Sequence, residues 1–155
     1  QTVADRIAKY LSTKGEGRSG IGTTLSGSRI QLALIKTVLT EYFTEEAFAP
    51  LLVLARRLER GIADVIIKYN LAWHVTRVGA RVEFMCCEKP PDNGFEASRV
   101  IHQPVDVAVH HYLLNRGVVI TPFHNMMLIC PATTEQNVDQ LLKTLDHCLA
   151  ELTQK

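Results

Sequence analysis

The feature that most constrains this chain is a change of hydrophobic period at Trp73. Ahead of it, apolar residues recur three and four positions apart. Val3, Ile7, Tyr10 and Leu11 form one such set, Ile30, Leu34, Ile35, Val38, Leu39 and Tyr42 a second, and a third runs from Phe48 to Tyr69. That spacing gathers side chains onto one stripe of a helix. From Trp73 the period falls to two, with Trp73, Val75, Val82 and Phe84 alternating against His74, Thr76, Arg81 and Glu83. Alternation of this kind belongs to a half-buried strand. Helices come first, and short strands interleaved with helices follow. The order predicts an α+β fold, a small, mainly antiparallel sheet with helices packed on one face.

Local signals set the expected boundaries. Thr2 caps a first helix with Asp5 three residues on, and that helix ends near Ser12. Thr44 with Glu45 and Glu46 opens the third helix, which runs to Asn70 and is kinked or delayed by Pro50. Gly79 bends or splits the first strand. Glu88 to Ser98 reads as a loop, Val105 to Arg116 as a helix closed by Gly117, and Val118–Thr121 and Met126–Cys130 as two further strands. Thr133 and Gln136 form a capping box for a last helix carrying Val138, Leu141, Leu145, Cys148, Leu149 and Leu152.

Composition narrows the function classes. The 155 residues make one compact unit, and 17 basic against 16 acidic side chains leave a formal charge of +1. Neither nucleic acid nor an anionic membrane is an expected partner, since both call for clustered positive charge. No membrane span or signal peptide is read, so a soluble, cytoplasmic protein is expected. The four cysteines show no CxxC pair and are expected as reduced, mostly buried thiols. Adjacent His110 and His111 diverge by about 100° on a helix, and no zinc-type spacing exists elsewhere, so no metal site is expected. Gly15, Gly17 and Gly20 spell GxGxxG, but they follow a helix rather than a strand and do not read as a dinucleotide site.

Five glycines lie between Lys14 and Gly27 among serines and threonines. The stretch Gly22-Thr23-Thr24-Leu25-Ser26-Gly27 places amides and three hydroxyls just ahead of a helix N-terminus. Such amides, aided by the helix dipole, suit a phosphate, although a glycine-rich capped loop is more often only a loop.

Thr24-Leu25-Ser26-Gly27 followed by a helix resembles the Gly-Thr-Leu-Ser-Gly-Asn-Pro segment of the class III, pyridoxal phosphate-dependent aminotransferases, the glutamate-1-semialdehyde aminomutases among them. Val75-Thr76-Arg77-Val78-Gly79 is similar to the Asn-Arg-Val-Gly-Ser-Met strand of that family, and Gly117 to Pro122 to its Gly-Val-Tyr-Leu-Ala-Pro strand. Ala132 to Leu152 resembles the terminal helix. Ser28-Arg29 and Thr23 depart from the pattern, where the family has Asn-Pro and Gly.

The resemblance implies the C-terminal third of a fold-type I enzyme: residues 1–44 as the end of the large domain, with the phosphate-loop segment and its helix, and 45–155 as the C-terminal small domain. It implies pyridoxal 5'-phosphate as cofactor and a homodimer in which Thr24, with Thr23 and Gly22, meets the cofactor phosphate of the neighbouring subunit. The turn Phe123-His124-Asn125 comes to the substrate mouth, with Phe123 and His124 as the substrate-binding residues. The lysine that holds the cofactor lies upstream of the segment matching Gln1, so no catalytic residue is assigned and the chain alone is expected to be inactive. Met126 stands where the aminomutases carry an acidic residue, and Thr121 near an Arg of the ornithine-type enzymes. The favoured expectation is therefore amino transfer from an amine or amino acid donor to a keto acceptor. Glutamate-1-semialdehyde 2,1-aminomutase activity is the alternative, and a non-catalytic ligand-binding or interaction module the second.

Overall fold

The computed structural model describes residues 2–13, 27–121 and 124–154. The chain divides into two compact units, Gln1–Thr44 and Glu45–Lys155.

In the first unit, helix α1 (Val3–Ser12) opens on a reciprocal capping box. The Thr2 hydroxyl accepts the Asp5 N–H at 3.2 Å, and Asp5 Oδ2 accepts the Thr2 N–H at 2.9 Å; the Thr2 hydroxyl first, and its N–H second, hold the Asp5 carboxyl below its ordinary range. Helix α2 (Arg29–Thr37) continues into a π-helical turn, Val38–Tyr42. None of the described residues of this unit is buried.

The second unit holds the core. Helix α3 (Glu45–Lys68) buries Ala55, Leu58, Ile62 and Ile66, spaced three or four apart. Pro50 neither delays nor divides it, although its missing N–H forfeits one bond of the helical ladder. The helix closes on Asn70, at φ 48°, with Leu71 N–H to Ile66 O at 3.1 Å and Asn70 N–H to Ile67 O at 3.0 Å. These are the two bonds of a Schellman ending, with Asn tolerating the left-handed angle.

The chain then turns into β1 (His74–Val78) and β2 (Arg81–Met85), an antiparallel pair with Val78 opposite Arg81. Gly79 splits the predicted strand into a hairpin, its φ of +60° falling at the first of two turn residues, where a type II′ hairpin places glycine. Strand β3 (Met126–Leu128) joins the other edge of β2, also antiparallel. Val75, Val82 and Phe84 share the face toward α3, where Trp73 stacks on Phe84 at 5.7 Å. Register puts Thr76, Arg81, Glu83, Met126 and Leu128 on the opposite face.

Helix α4 (Gly94–Arg99) stands where a loop was expected, nucleated by Asn93 capping the Glu96 N–H at 3.0 Å. Helix α5 (Gln103–Leu114) ends in a second Schellman pair, Val118 N–H to Leu113 O and Gly117 N–H to Leu114 O, with Gly117 at φ 78°. The expected strand Val118–Thr121 does not form. Its described backbone bonds run from Val118 to Leu113 and from Thr121 to Met126, while β3 gives its ladder to β2. A cavity of about 470 Å³ opens between this segment, β3 and the last helix.

That last helix, α6 (Glu135–Thr153), is capped by Thr134 and Asn137, one residue later than the sequence suggested. The Thr133 hydroxyl is already engaged, accepting the Cys130 N–H at 3.1 Å. Two links tie α6 to α3: Arg57 to Asp139 and Glu135, and Lys68 to Asp146 at 2.6 Å. Gly61 lets Leu142 close against α3, because a Cβ there would overlap the Leu142 side chain.

Candidate functional site

Of the residues singled out from sequence for a site, Gly22, Thr23, Thr24 and Phe123 lie outside the described residues. His124 can be placed. It stands exposed at the turn that leads from the Gly117–Thr121 segment into β3.

The turn is fixed by polar bonds from several elements. The Thr121 hydroxyl donates to the His124 carbonyl oxygen and approaches that of Met126 at 3.4 Å. The Asn125 carbonyl accepts the Phe84 N–H from β2 at 3.2 Å. Asn125 Nδ2 donates to Asp106 Oδ1, in the first turn of α5, at 2.7 Å. Asn125 and Thr144 are the two buried polar side chains among the described residues, and Thr144 merely returns its hydroxyl to Gln140 of its own helix.

On the face of the sheet opposite α3, His124 Nδ1 lies 3.4 Å from Glu83 Oε1, and Glu83 Oε2 accepts Arg81 Nη2 at 2.6 Å. A carboxylate thus sits between a guanidinium and an imidazole. Glu83 is only 17% exposed, so water screens this carboxylate less than it screens the guanidinium and imidazole on either side, which are 49% and 43% exposed. Such a row can orient an imidazole as a hydrogen-bond partner for a polar substrate group. Sequence reasoning placed Asn125 in this turn but gave it no role, and it missed Asp106 and the Glu83–Arg81 pair. One signal was available, an uncharged polar residue directly ahead of an apolar strand.

The cysteines fall into distinct environments. Burial pushes the Cys86 thiol up to about 12, with Asp106, 3.9 Å away, adding to the effect. Cys148 is buried and raised to about 11 by the same cause. Cys130, expected among the mostly buried thiols, is exposed, and the Thr133 hydroxyl at 3.5 Å together with nearby amides lowers its pKa. Among the described residues no group of three or more His, Cys, Asp and Glu side chains could hold a metal ion. No helix among them is long and apolar enough to cross a membrane.

The described lysines offer no desolvated amine of the kind a covalently bound aldehyde cofactor requires. Lys9, Lys36, Lys89 and Lys143 are exposed, and Asp146 raises the Lys68 pKa and keeps it charged.

No model of a protein family matches the chain. It is 29% identical over 121 residues to glutamate-1-semialdehyde 2,1-aminomutase 2 of Brevibacillus brevis, a stretch covering 77% of this chain and 28% of that protein. A crystal structure of a glutamate-1-semialdehyde-aminomutase from Pseudomonas aeruginosa PAO1 matches 96% of this chain and 34% of its own, at 41% identity and a TM-score of 0.81. Proteins this chain is similar to thus include glutamate-1-semialdehyde aminomutases, and aminotransferases share its fold. The β-phenylalanine aminotransferase of Variovorax paradoxus, at 17% identity and a TM-score of 0.70, shares the fold over 96% of this chain and 34% of its own. The α+β architecture is that of the C-terminal small domain of fold-type I pyridoxal phosphate enzymes. The chain spans about a third or less of the length of these relatives.

Proposed function

We propose that this chain is the C-terminal part of a pyridoxal phosphate-dependent enzyme that moves an amino group. Residues 1–44 are then the end of its large domain and 45–155 its small domain. The observation that carries the reading is the match of nearly the whole chain to the Pseudomonas aeruginosa aminomutase at 41% identity. A variant of that protein was solved in complex with PMP, the amino form of the cofactor.

The cofactor, when bound, supplies the electron sink. None of the described lysines fits its covalent attachment, which supports a reading in which that link belongs to the rest of the enzyme and the chain by itself is inactive. Thr24, with Thr23 and Gly22, supplies hydroxyl and amide donors to the phosphate across a homodimer interface. His124 and Phe123 border the mouth through which small amine and keto substrates enter, with Glu83 orienting the imidazole.

Similarity favours intramolecular transfer on glutamate-1-semialdehyde. A second reading, transamination between an amine donor and a keto acceptor, is favoured by the half-buried, uncharged Met126, opposite Glu83 in the sheet.

The test takes the full-length enzyme with pyridoxal phosphate and assays it on glutamate-1-semialdehyde and on amine donors with a keto acceptor. Isomerisation supports the first reading, and intermolecular transfer alone supports the second. A full-length protein that retains no cofactor and catalyses neither reaction overturns both. The chain alone, treated with pyridoxal phosphate and borohydride, is expected to give no stoichiometric adduct at any one lysine.

A further inference from the structure

The His124 turn is held through the residue after it. Asn125 is 5% exposed, yet its neighbours in its own layer of the sheet, Phe84 and Met127, are apolar. An aliphatic side chain would fill that layer without the cost of desolvating an amide. A buried polar group specifies one arrangement when its bonds are satisfied, and the side-chain and carbonyl bonds of Asn125 both leave the turn. Its side-chain amide goes to Asp106 at 2.7 Å, and its carbonyl takes the Phe84 N–H at 3.2 Å. Asp106 suits the role because it lies in the first turn of α5, where the helix dipole favours a carboxylate. The Cys86 thiol, 3.9 Å from the same Oδ1, adds a weak donor rather than a competing charge. The cavity beside these groups, about 20 Å³, is large enough for a water and too small for a substrate. The cluster therefore supports the turn from behind and does not itself receive a ligand.

We propose that Asn125 is the positioning residue of the His124 turn: through Asp106 it fixes where the imidazole stands beside Glu83. The role in substrate binding rests on the reading of His124 as a substrate-facing group. The role in positioning does not.

The test exchanges the partners. Asn125→Asp sets two carboxylates against each other, and Asp106→Asn removes the charged acceptor. The double exchange, Asp106→Asn with Asn125→Asp, restores an amide-to-carboxylate bond in the opposite sense. In this chain, nuclear Overhauser contacts between the His124 ring and the Glu83 methylenes, with hydrogen exchange at the Phe84 amide, report the turn directly. Both are expected to be lost in Asn125→Asp and recovered in the double exchange. In the full-length enzyme the substrate KM is expected to rise about tenfold in Asn125→Asp, the scale of one hydrogen bond to a charged group, with kcat within about twofold and recovery in the double exchange. Contacts and exchange unchanged in Asn125→Asp overturn the proposal, as does a double exchange that recovers neither. If His124→Ala leaves KM unchanged, the substrate-facing reading has failed, and the magnetic resonance readouts alone decide the positioning role. Where Asn125→Asp fails to fold, Asp106→Asn and the double exchange carry the same comparison.

Discussion

The two units of this chain are both rich in amphipathic helix, yet they use it differently. Among the described residues, all sixteen buried apolar ones belong to the second unit, where α3, α5 and α6 enclose Phe84, Val82 and Met127 of the sheet. In the first, Ile30, Leu34, Ile35 and Leu39 recur at helical spacing and each is more than half exposed. A stripe of apolar residues specifies a helix face but not what covers it. Burial, rather than periodicity, decides which helices contribute to cooperative stability.

The largest test of this contrast is core truncation. Leu58→Ala is expected to cost about 2–5 kcal/mol, the range for a buried Leu, whereas Leu34→Ala is expected to stay within about 0.5 kcal/mol. Urea midpoints at constant slope measure both. Equal losses would mean that the first unit shares the cooperative core.

Helix caps sharpen the comparison, because Thr2 and Thr134 head equivalent reciprocal boxes in the two units. Thr134→Ala is expected to lower global stability by about 0.5–2 kcal/mol. Thr2→Ala is expected to reduce the helical circular dichroism and leave the unfolding midpoint in place. A midpoint shift in Thr2→Ala as large as that in Thr134→Ala would break the distinction.

The smallest effect is in acid. Asp5 and Asp146 both titrate below their ordinary 3.8, Asp5 through the Thr2 hydroxyl and Asp146 through its hydrogen bond from Lys68. A carboxyl with a depressed folded-state pKa stabilises the fold above the ordinary value, and the contribution fades as pH falls through the lowered one. Asp146→Asn is therefore expected to flatten the fall in global stability below about pH 4, while Asp5→Asn changes only the helical signal. A steeper acid limb in Asp146→Asn would contradict the assignment.

Much of the fold was legible because hydrophobic period survives any context. The stripe from Leu51 to Ile66 reads as a helix with or without Pro50, since the packing of Leu58 and Ile62 outweighs one missing bond. What was misplaced depended on competition between neighbours. Thr133 and Thr134 are both competent caps, and only the bond of Thr133 to Cys130 gives the helix to Thr134. Helix α4 was hidden among Pro90, Pro91 and Gly94, where six residues are too few to show a period. The site was less legible than the fold. His124 was reached through resemblance, but its supports Asp106 and Glu83 lie 18 and 41 positions away, and no local pattern joins residues that meet only after folding.

Helix α5 holds the site turn from both of its ends. The peptide leaves its last turn at Gly117 and runs to Thr121, and the turn is then bonded back to Asp106 in the first. Asp106 to Asn125 is thus a closed frame, covalent along one path and hydrogen-bonded across the gap. The residue next to His124 is therefore tethered to the helix at a second point, so a displacement of the first turn of α5 is felt at Asn125 as well as along the chain.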